Sequence, residues 1–213
     1  MKDRAPNGRA KSGFHRRDFL RGSGAAAAAT ALAGGGGLAA AQEDAPATFS
    51  AGLHRITLVV NGEKKTVEVE PRMTLLEALR YRLGLTGAKP VSDEGNDGAS
   101  NVLLDGKPVS AANLLAMQCI GHEIQTVESL GGAKPDPVPV AFTHADAQQC
   151  GFCTPGFVVA VRAFLNKHPG ASEAEIRSGL NGNLCRCGTY YDVITAAVEA
   201  AGGAQAAKGA IHG

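Results

Sequence analysis

Four cysteines in the second half of the 213-residue chain have types and spacings that suit metal binding. They form two close pairs, Cys150-x2-Cys153 and Cys185-x-Cys187. A 2Fe–2S cluster requires four thiolates, two on each iron, and two close pairs can supply them. Zinc also accepts four cysteines, although structural zinc sites usually separate paired ligands by two to four residues. Disulfides form in exported proteins, so the spacing alone leaves a cluster, a zinc ion and disulfide bonds open.

The other candidate ligands do not extend this cysteine set. Cys119 lies in an apolar stretch, where a lone cysteine usually packs as a small buried hydrophobic residue. The six histidines are scattered, and His144, which precedes the first cysteine pair, has no second ligand at a matching spacing. Neither Cys119 nor the histidines therefore add a ligand to the four paired cysteines.

Helical patterns surround the cysteines and predict how they are positioned. Four short helices are expected after a linker at 131–137, and both cysteine pairs fall at helix ends or in turns between helices. Asp136 with Pro137 is a favourable start for the first helix, and Ser172 with Glu175 predicts a capping box for the third. The expected helices cover residues 138–148, 156–167, 172–180 and 190–201.

The preceding part of the chain has the pattern of a small α+β domain. Asn61-Gly62 separates two segments rich in β-branched residues, which is a strong hairpin signal. Leucines at helical spacing predict a helix over 73–83, with Thr74 as its N-cap. The expected strands cover residues 53–60, 65–69, 102–104 and 124–127. A hairpin, a packed helix and two further strands indicate the β-grasp type.

The N-terminal segment 1–41 has the layout of a secretory signal. The basic pair Arg16-Arg17 is followed by an Ala/Gly-rich run at 22–38 and by three alanines at 39–41 that offer a cleavage site. The arginine pair with a following Phe-Leu resembles the twin-arginine (Tat) type. A disordered tail is the alternative, and a transmembrane anchor is disfavoured because the run is short and weakly apolar. We therefore expect a periplasmic protein exported by the twin-arginine pathway.

Composition limits the class of partner. Hydrophobic residues make up 44% of the chain and charged residues 19%, which is ordinary for a soluble globular protein. No polybasic stretch occurs beyond the N-terminal segment. Nucleic acid is therefore not expected as a partner.

The residues around both cysteine pairs decide between the metal-site alternatives. The segments 149–156 (Gln-Cys-Gly-Phe-Cys-Thr-Pro-Gly) and 182–190 (Gly-Asn-Leu-Cys-Arg-Cys-Gly-Thr-Tyr) resemble the iron–sulfur subunit of the molybdenum hydroxylase (xanthine dehydrogenase) family. The resemblance extends over about residues 53–200. It implies a ferredoxin-like β-grasp domain at 53–130, followed by an all-α four-helix 2Fe–2S-binding domain at 138–201.

The resemblance also implies roles for individual residues. By position, Cys150, Cys153, Cys185 and Cys187 match the ligands of the 2Fe–2S cluster nearest the molybdopterin of a large partner subunit. Gln149 matches a residue that contacts the pterin, and Cys187 is implied to lie close to it. A polar residue at a helix C-terminus is the alternative interpretation of Gln149.

The ferredoxin-like part departs from the family at its own cluster positions. Plant-type ferredoxin domains use C-x4-C-x2-C and a later fourth cysteine. Here Ser92, Asp97 and Ser100 hold that spacing, and the fourth position falls at Ala112. Iron–sulfide clusters favour soft thiolates over hard oxygen donors, and alanine has no donor, so we expect no second cluster. A hard-cation site in this acidic loop is the alternative to a solvated loop, which we favour.

The expected function is that of a one-cluster electron-transfer subunit. A molybdopterin-binding partner would oxidise an aldehyde or an N-heterocycle, and electrons would pass through one 2Fe–2S cluster to an external acceptor such as a c-type cytochrome. One alternative is a docking or structural subunit whose ferredoxin-like domain is a binding module. Another is a chain that binds zinc or forms disulfides and transfers no electrons.

Overall fold

The computed structural model of the chain describes residues 49–202. The predicted signal segment 1–41 lies outside these residues. The described part begins with a hairpin in which strand β1 (His54–Val60) pairs antiparallel with strand β2 (Glu63–Val69). Asn61 and Gly62 have φ angles of 54° and 79°, the left-handed conformation that a tight two-residue hairpin turn requires. The hairpin therefore forms where the Asn-Gly pair predicts it.

Three further strands complete a mixed sheet. They are β3 (Asn101–Leu104), β4 (Lys107–Ser110) and β5 (Glu123–Gln125), and the strand order is β2-β1-β5-β3-β4. β5 runs parallel to β1 and antiparallel to β3. β4 was not predicted, because its Lys-Pro-Val-Ser sequence carries a proline and lacks alternation. Such a segment is tolerated at a sheet edge, which is where β4 lies.

A short helix packs on the sheet. Helix α1 (Leu75–Glu77) continues into a π-helical turn at Ala78–Arg82. Thr74 caps α1 as predicted, and its side chain and that of Glu77 form a reciprocal capping box. The leucines that predicted the helix face the sheet, and Leu75 and Leu79 are completely buried.

The second half of the described chain is helical. Its helices are α2 (Pro137–His144), α3 (Thr154–Lys167), α4 (Glu173–Gly179) and α5 (Tyr190–Ala200). Asp136 caps α2 and Ser172 forms the capping box of α4, as predicted. α2 ends before the predicted boundary at 148, because Asp146 adopts a left-handed φ of 49° that no α-helix accommodates. Within residues 49–202, no helix has both the length and the apolar character needed to cross a membrane.

The buried side chains form two principal clusters. One joins the sheet to α1 and includes Leu58, Leu79 and Cys119, while the other joins the helices around Phe157 and Val193. A small third cluster connects β3 to α3. The structure confirms an α+β fold, with the cysteine pairs on the helical side.

Candidate metal centre

Both cysteine pairs lie next to helix N-termini. Cys153 immediately precedes α3, and Cys185 and Cys187 lie in the loop that leads from α4 into α5. The first peptide N–H groups of a helix are unpaired, and the helix dipole places partial positive charge at this end. This local electrostatic environment favours thiolates, which are the form of cysteine that binds metals.

The structure brings the four thiols together in two crossed pairs. The thiol of Cys187 hydrogen-bonds to that of Cys150, and the thiol of Cys153 hydrogen-bonds to that of Cys185. Each pair therefore takes one cysteine from each sequence motif. The charges of the two pairs also interact, since those of Cys150 and Cys185 both act on Cys153.

This arrangement of two sulfur pairs suits a dinuclear centre. All five cysteines of the chain are free thiols in the structure. A 2Fe–2S cluster needs two thiolates on each of two irons, which is what two separate sulfur pairs provide.

The inner pair consists of Cys153 and Cys185. Burial acts to raise the pKa of the Cys185 thiol, but hydrogen bonds from Thr189, Cys153 and Gly188 outweigh it and lower that pKa to about 7. The sulfur of Cys185 lies 3.2 Å from Oγ1 of Thr189. Burial, followed by the hydrogen bond to Cys185, raises the pKa of the Cys153 thiol to about 12. Hydrogen bonding within the inner pair therefore favours ionisation of Cys185 over ionisation of Cys153.

The outer pair, Cys150 and Cys187, is exposed and shows the same asymmetry. A backbone hydrogen bond from Phe152 and the thiol of Cys187 lower the pKa of Cys150. The backbone N–H of Cys150 acts to lower the pKa of Cys187, but the Cys150 thiol, burial and neighbouring negative charge raise it overall. Metal ions bind deprotonated cysteine, so a bound cation would displace the thiol protons of both pairs.

Exposed apolar side chains lie near the cysteines in the sequence. Phe152 and Leu184, each next to a cysteine in the sequence, are 52% and 57% exposed, and Tyr190 and Tyr191 are also exposed. The hydroxyl of Tyr190 accepts a 2.7 Å hydrogen bond from the N–H of Cys185. These exposed apolar side chains all lie in or directly after the two cysteine segments.

Gln149 and His144 lie on either side of the turn that precedes the first cysteine pair. Gln149 is exposed next to Cys150. His144 Nδ1 lies 2.8 Å from a carboxylate oxygen of Glu199, so it pairs with α5 and not with the cysteines.

The four residues that the resemblance matches to the cluster cysteines of plant-type ferredoxin domains, here called the substituted site, also form two pairs. The hydroxyl of Ser92 donates a 2.5 Å hydrogen bond to Asp97. Oγ of Ser100 accepts a 3.4 Å hydrogen bond from the N–H of Ala112 and lies 3.0 Å from Oγ of Ser110.

The expectation of a wholly solvated acidic loop requires correction. Asp93 and Glu94 are exposed, but Asp97 is only 8% exposed and its carboxylate also accepts the N–H of Ala99 at 2.7 Å. Asp105 faces elsewhere, with its carboxylate 2.6 Å from His122 Nδ1. Asp97 is buried because its charge is satisfied by neighbouring donors, and the loop does not assemble its carboxylates into a cation site.

Sequence reasoning missed two residues beside the cysteines, Asn183 and Thr189. Both are buried polar residues, 7% and 4% exposed, and both make hydrogen bonds at the site. The only sequence signal was their place within the second motif, which does not reveal what their side chains contact.

Comparison with known proteins identifies the chain's relatives. Residues 126–198 match the family model of the [2Fe-2S] binding domain. The nicotine 6-hydroxylase small subunit of Paenarthrobacter nicotinovorans is 40% identical over 69% of this chain and 89% of that protein. The nicotinate dehydrogenase small FeS subunit of Eubacterium barkeri is 41% identical over 68% of this chain and 92% of that protein. Quinoline 2-oxidoreductase from Pseudomonas putida 86 aligns in structure with a TM-score of 0.68 and 40% identity, over 74% of this chain and 98% of that one.

The fold, the paired thiols and the matching domain define an electron-transfer protein with a 2Fe–2S-binding domain. The chain belongs to the small iron–sulfur subunits of the molybdenum hydroxylase (xanthine dehydrogenase) family. Residues 13–33 match the twin-arginine signal sequence. This signal marks the chain for export by the twin-arginine pathway, which is consistent with a periplasmic location.

Proposed function

We propose that this chain is the small subunit of a periplasmic molybdenum hydroxylase and passes electrons from a partner's molybdopterin through one 2Fe–2S cluster. Cys150, Cys153, Cys185 and Cys187 would hold the cluster, which supplies one-electron redox chemistry when bound. The observation that carries the proposal is the crossed pairing of these thiols between the two motifs. In this proposal, residues 53–130 are a ferredoxin-like β-grasp domain and residues 138–201 are a four-helix cluster-binding domain.

The protein around the cysteines fits such a group. One thiol of each pair has a lowered pKa, and the N-termini of α3 and α5 lie beside the sulfurs. The hydroxyl oxygen of Thr154, next to Cys153, is buried without a hydrogen-bond partner. A sulfur-rich anionic group would supply the acceptor that this hydroxyl lacks.

We propose that the chain holds only one cluster because the substituted site has no sulfur. Ser92, Asp97 and Ser100 present oxygen, Ala112 presents only its backbone, and the polar side chains are already hydrogen-bonded to protein. Iron–sulfide clusters are held by thiolates. Residues 1–41 would be removed on export.

The exposed apolar side chains of the cysteine segments are the proposed contact with the molybdopterin-binding subunit. Gln149 and Cys187 are exposed in the same segments, and we propose that both approach the pterin. The names of the relatives include nicotine and nicotinate enzymes and an aldehyde oxidoreductase from Escherichia coli. These names support the proposal that the partner binds an aldehyde or an N-heterocyclic substrate.

The electron acceptor is proposed to be external to the chain, such as a c-type cytochrome. Without a second cluster there is no next carrier in the ferredoxin-like part. An acceptor would therefore have to approach the single cluster closely. An exported haem protein has the chemistry to accept one electron at a time.

A docking role for the ferredoxin-like part is a second candidate function, and it is compatible with the first. The substituted site is filled by a buried hydrogen-bond network, as expected of a structural element. In that role the sheet and α1 would brace the assembly without carrying electrons.

Reduction of the purified complex by an aldehyde or N-heterocycle tests the electron-transfer proposal. We expect substrate to produce the paramagnetic signal of a reduced 2Fe–2S cluster. In the Cys150→Ser variant we expect molybdenum to be reduced while transfer to a cytochrome c acceptor is lost. A variant that lacks the cluster signal and still reduces the acceptor at the wild-type rate would overturn the proposal.

A further inference from the structure

Two backbone carbonyls of the substituted loop bind the chain just ahead of an inner cysteine. The C=O of Asp97 accepts the N–H of Leu184 at 2.9 Å. The C=O of Gly98 accepts a 3.2 Å hydrogen bond from Nδ2 of the buried Asn183. Because these partners immediately precede Cys185, the two bonds fix the backbone that presents its sulfur.

The same loop segment also contacts the chain that follows the first cysteine pair. A Cβ built on Gly156, near the start of α3, would collide with the carbonyl oxygen of Gly98 and lie 2.8 Å from Cα of Ala99. Only glycine permits this approach. Residues 97–99, here called the wedge segment, therefore lie in direct contact with the chain that follows Cys153 and with the chain that precedes the second cysteine pair.

The side chain of Asp97 holds the wedge segment in shape. One carboxylate oxygen accepts the N–H of Ala99 at 2.7 Å, and the other accepts the hydroxyl of Ser92. Between Asp97 and Ala99, Gly98 adopts a left-handed φ of 76°. The carboxylate thus spans the turn that directs the two carbonyls toward Leu184 and Asn183.

Resting on the proposed cluster at the four cysteines, we propose that Asp97 is a positioning residue for that cluster. Its carboxylate fixes the wedge segment. The wedge segment in turn sets the separation and orientation of the chain that follows Cys153 and the chain that precedes the second cysteine pair. Interactions outside the ligand set orient ligands and tune the metal they hold. A position that belongs to a second cluster in plant-type ferredoxin domains would serve here to arrange the ligands of the first.

The test uses the purified complex with Asp97→Ala, Asp97→Asn and the matched control Asp93→Ala, which removes an exposed carboxylate from the same loop. We expect Asp97→Ala to shift or broaden the paramagnetic signal of the reduced cluster. Hydrogen exchange at the Leu184 amide should become about tenfold faster, because its acceptor loses support. Asp97→Asn should restore both properties, since its amide oxygen can still accept the N–H of Ala99. Asp93→Ala should match the wild type.

An Asp97→Ala complex with the wild-type signal and wild-type exchange at Leu184 would overturn the inference. If that variant does not yield a folded complex, Ser92→Ala removes only the hydroxyl. Smaller changes in the same two properties are then expected, and unchanged properties would again overturn the inference. Wild-type complex without iron would instead overturn the proposed cluster, so the two failures are distinguishable.

Discussion

The four paired cysteines, here called the cysteine site, and the substituted site share the same arrangement of positions. They differ in their donor atoms. Each consists of two pairs of positions, in loops that the surrounding elements hold at fixed separation. In the cysteine site, a hydrogen bond joins the two sulfurs of each pair. In the substituted site, the oxygens and the backbone N–H groups satisfy one another. The polar side chains of the substituted site are thus held in place by hydrogen bonds to protein groups without any metal.

Replacing one residue of each site with alanine gives the largest expected difference in iron content. Cys185→Ala takes one sulfur from the inner pair, and we expect loss of the 2Fe–2S cluster, since a cluster needs all four ligands. The matched change Ser100→Ala removes hydrogen bonds to Ser110 and Ala112. It should leave iron content unchanged and lower the free energy of unfolding by ~1 kcal/mol. Iron analysis and thermal unfolding check the pair.

Equal iron content in the Cys185→Ala and Ser100→Ala variants would contradict the claim that only the cysteine site holds a cluster. Cys119→Ala is the control for loss of a cysteine as such, because Cys119 is completely buried in the sheet cluster. We expect it to keep the iron.

The close contact between the two sites predicts a loss of stability that is intermediate in size among the effects predicted here. A Cβ on Gly98 would lie 2.5 Å from Nδ2 of Asn183 and 2.9 Å from the carbonyl oxygen of Gly182, whereas one on Gly106 would meet nothing within 4 Å. Both glycines have similar positive φ angles, so alanine is strained at both. We expect Gly98→Ala to lower the free energy of unfolding by ~1–3 kcal/mol more than Gly106→Ala, through overpacking. Denaturant unfolding of the two variants measures the difference, and equal losses would contradict the close contact.

The smallest expected effect concerns only the ionisation of the Cys185 thiol. In the metal-free protein, the Cys185 thiol should ionise near its pKa of about 7, two pH units below an ordinary thiol at 9.0. Its lowered pKa means that the folded state gains stability from this group as pH rises from about 7 to 9, and loses that contribution as pH falls through 7. Ultraviolet absorbance of thiolates, taken as wild type minus Cys185→Ala, should show the step. A difference titration centred near 9 would contradict the hydrogen-bonded environment at Thr189.

Local signals made parts of the fold predictable. Asn61-Gly62 predicts its hairpin because both residues tolerate positive φ, and Ser172 with Glu175 predicts a helix start because the capping partners are three residues apart. The cysteines were predictable as a set because their spacing and neighbours are specific. The substituted positions follow from the resemblance to plant-type ferredoxin domains, and their assignment stays a prediction.

Long-range features were not predictable from the sequence. β4 gains its strand structure by pairing with β3, which overrides a weak local propensity. The burial of Asp97 depends on donors from Ser92 and Ala99 and on packing by chain more than 80 residues away, as shown by the bond from Asn183 to Gly98. No periodicity in the sequence encodes such a contact, so the acidic loop was expected to be solvated.

The most direct test of one cluster in one site is the count of iron and acid-labile sulfide per small subunit in the purified complex, after subtraction of metal bound by its partners. The account predicts two irons and two sulfides, with no zinc, as one 2Fe–2S cluster requires. Four irons would show that the substituted site still holds a cluster. Zinc in place of iron would contradict electron transfer by this chain.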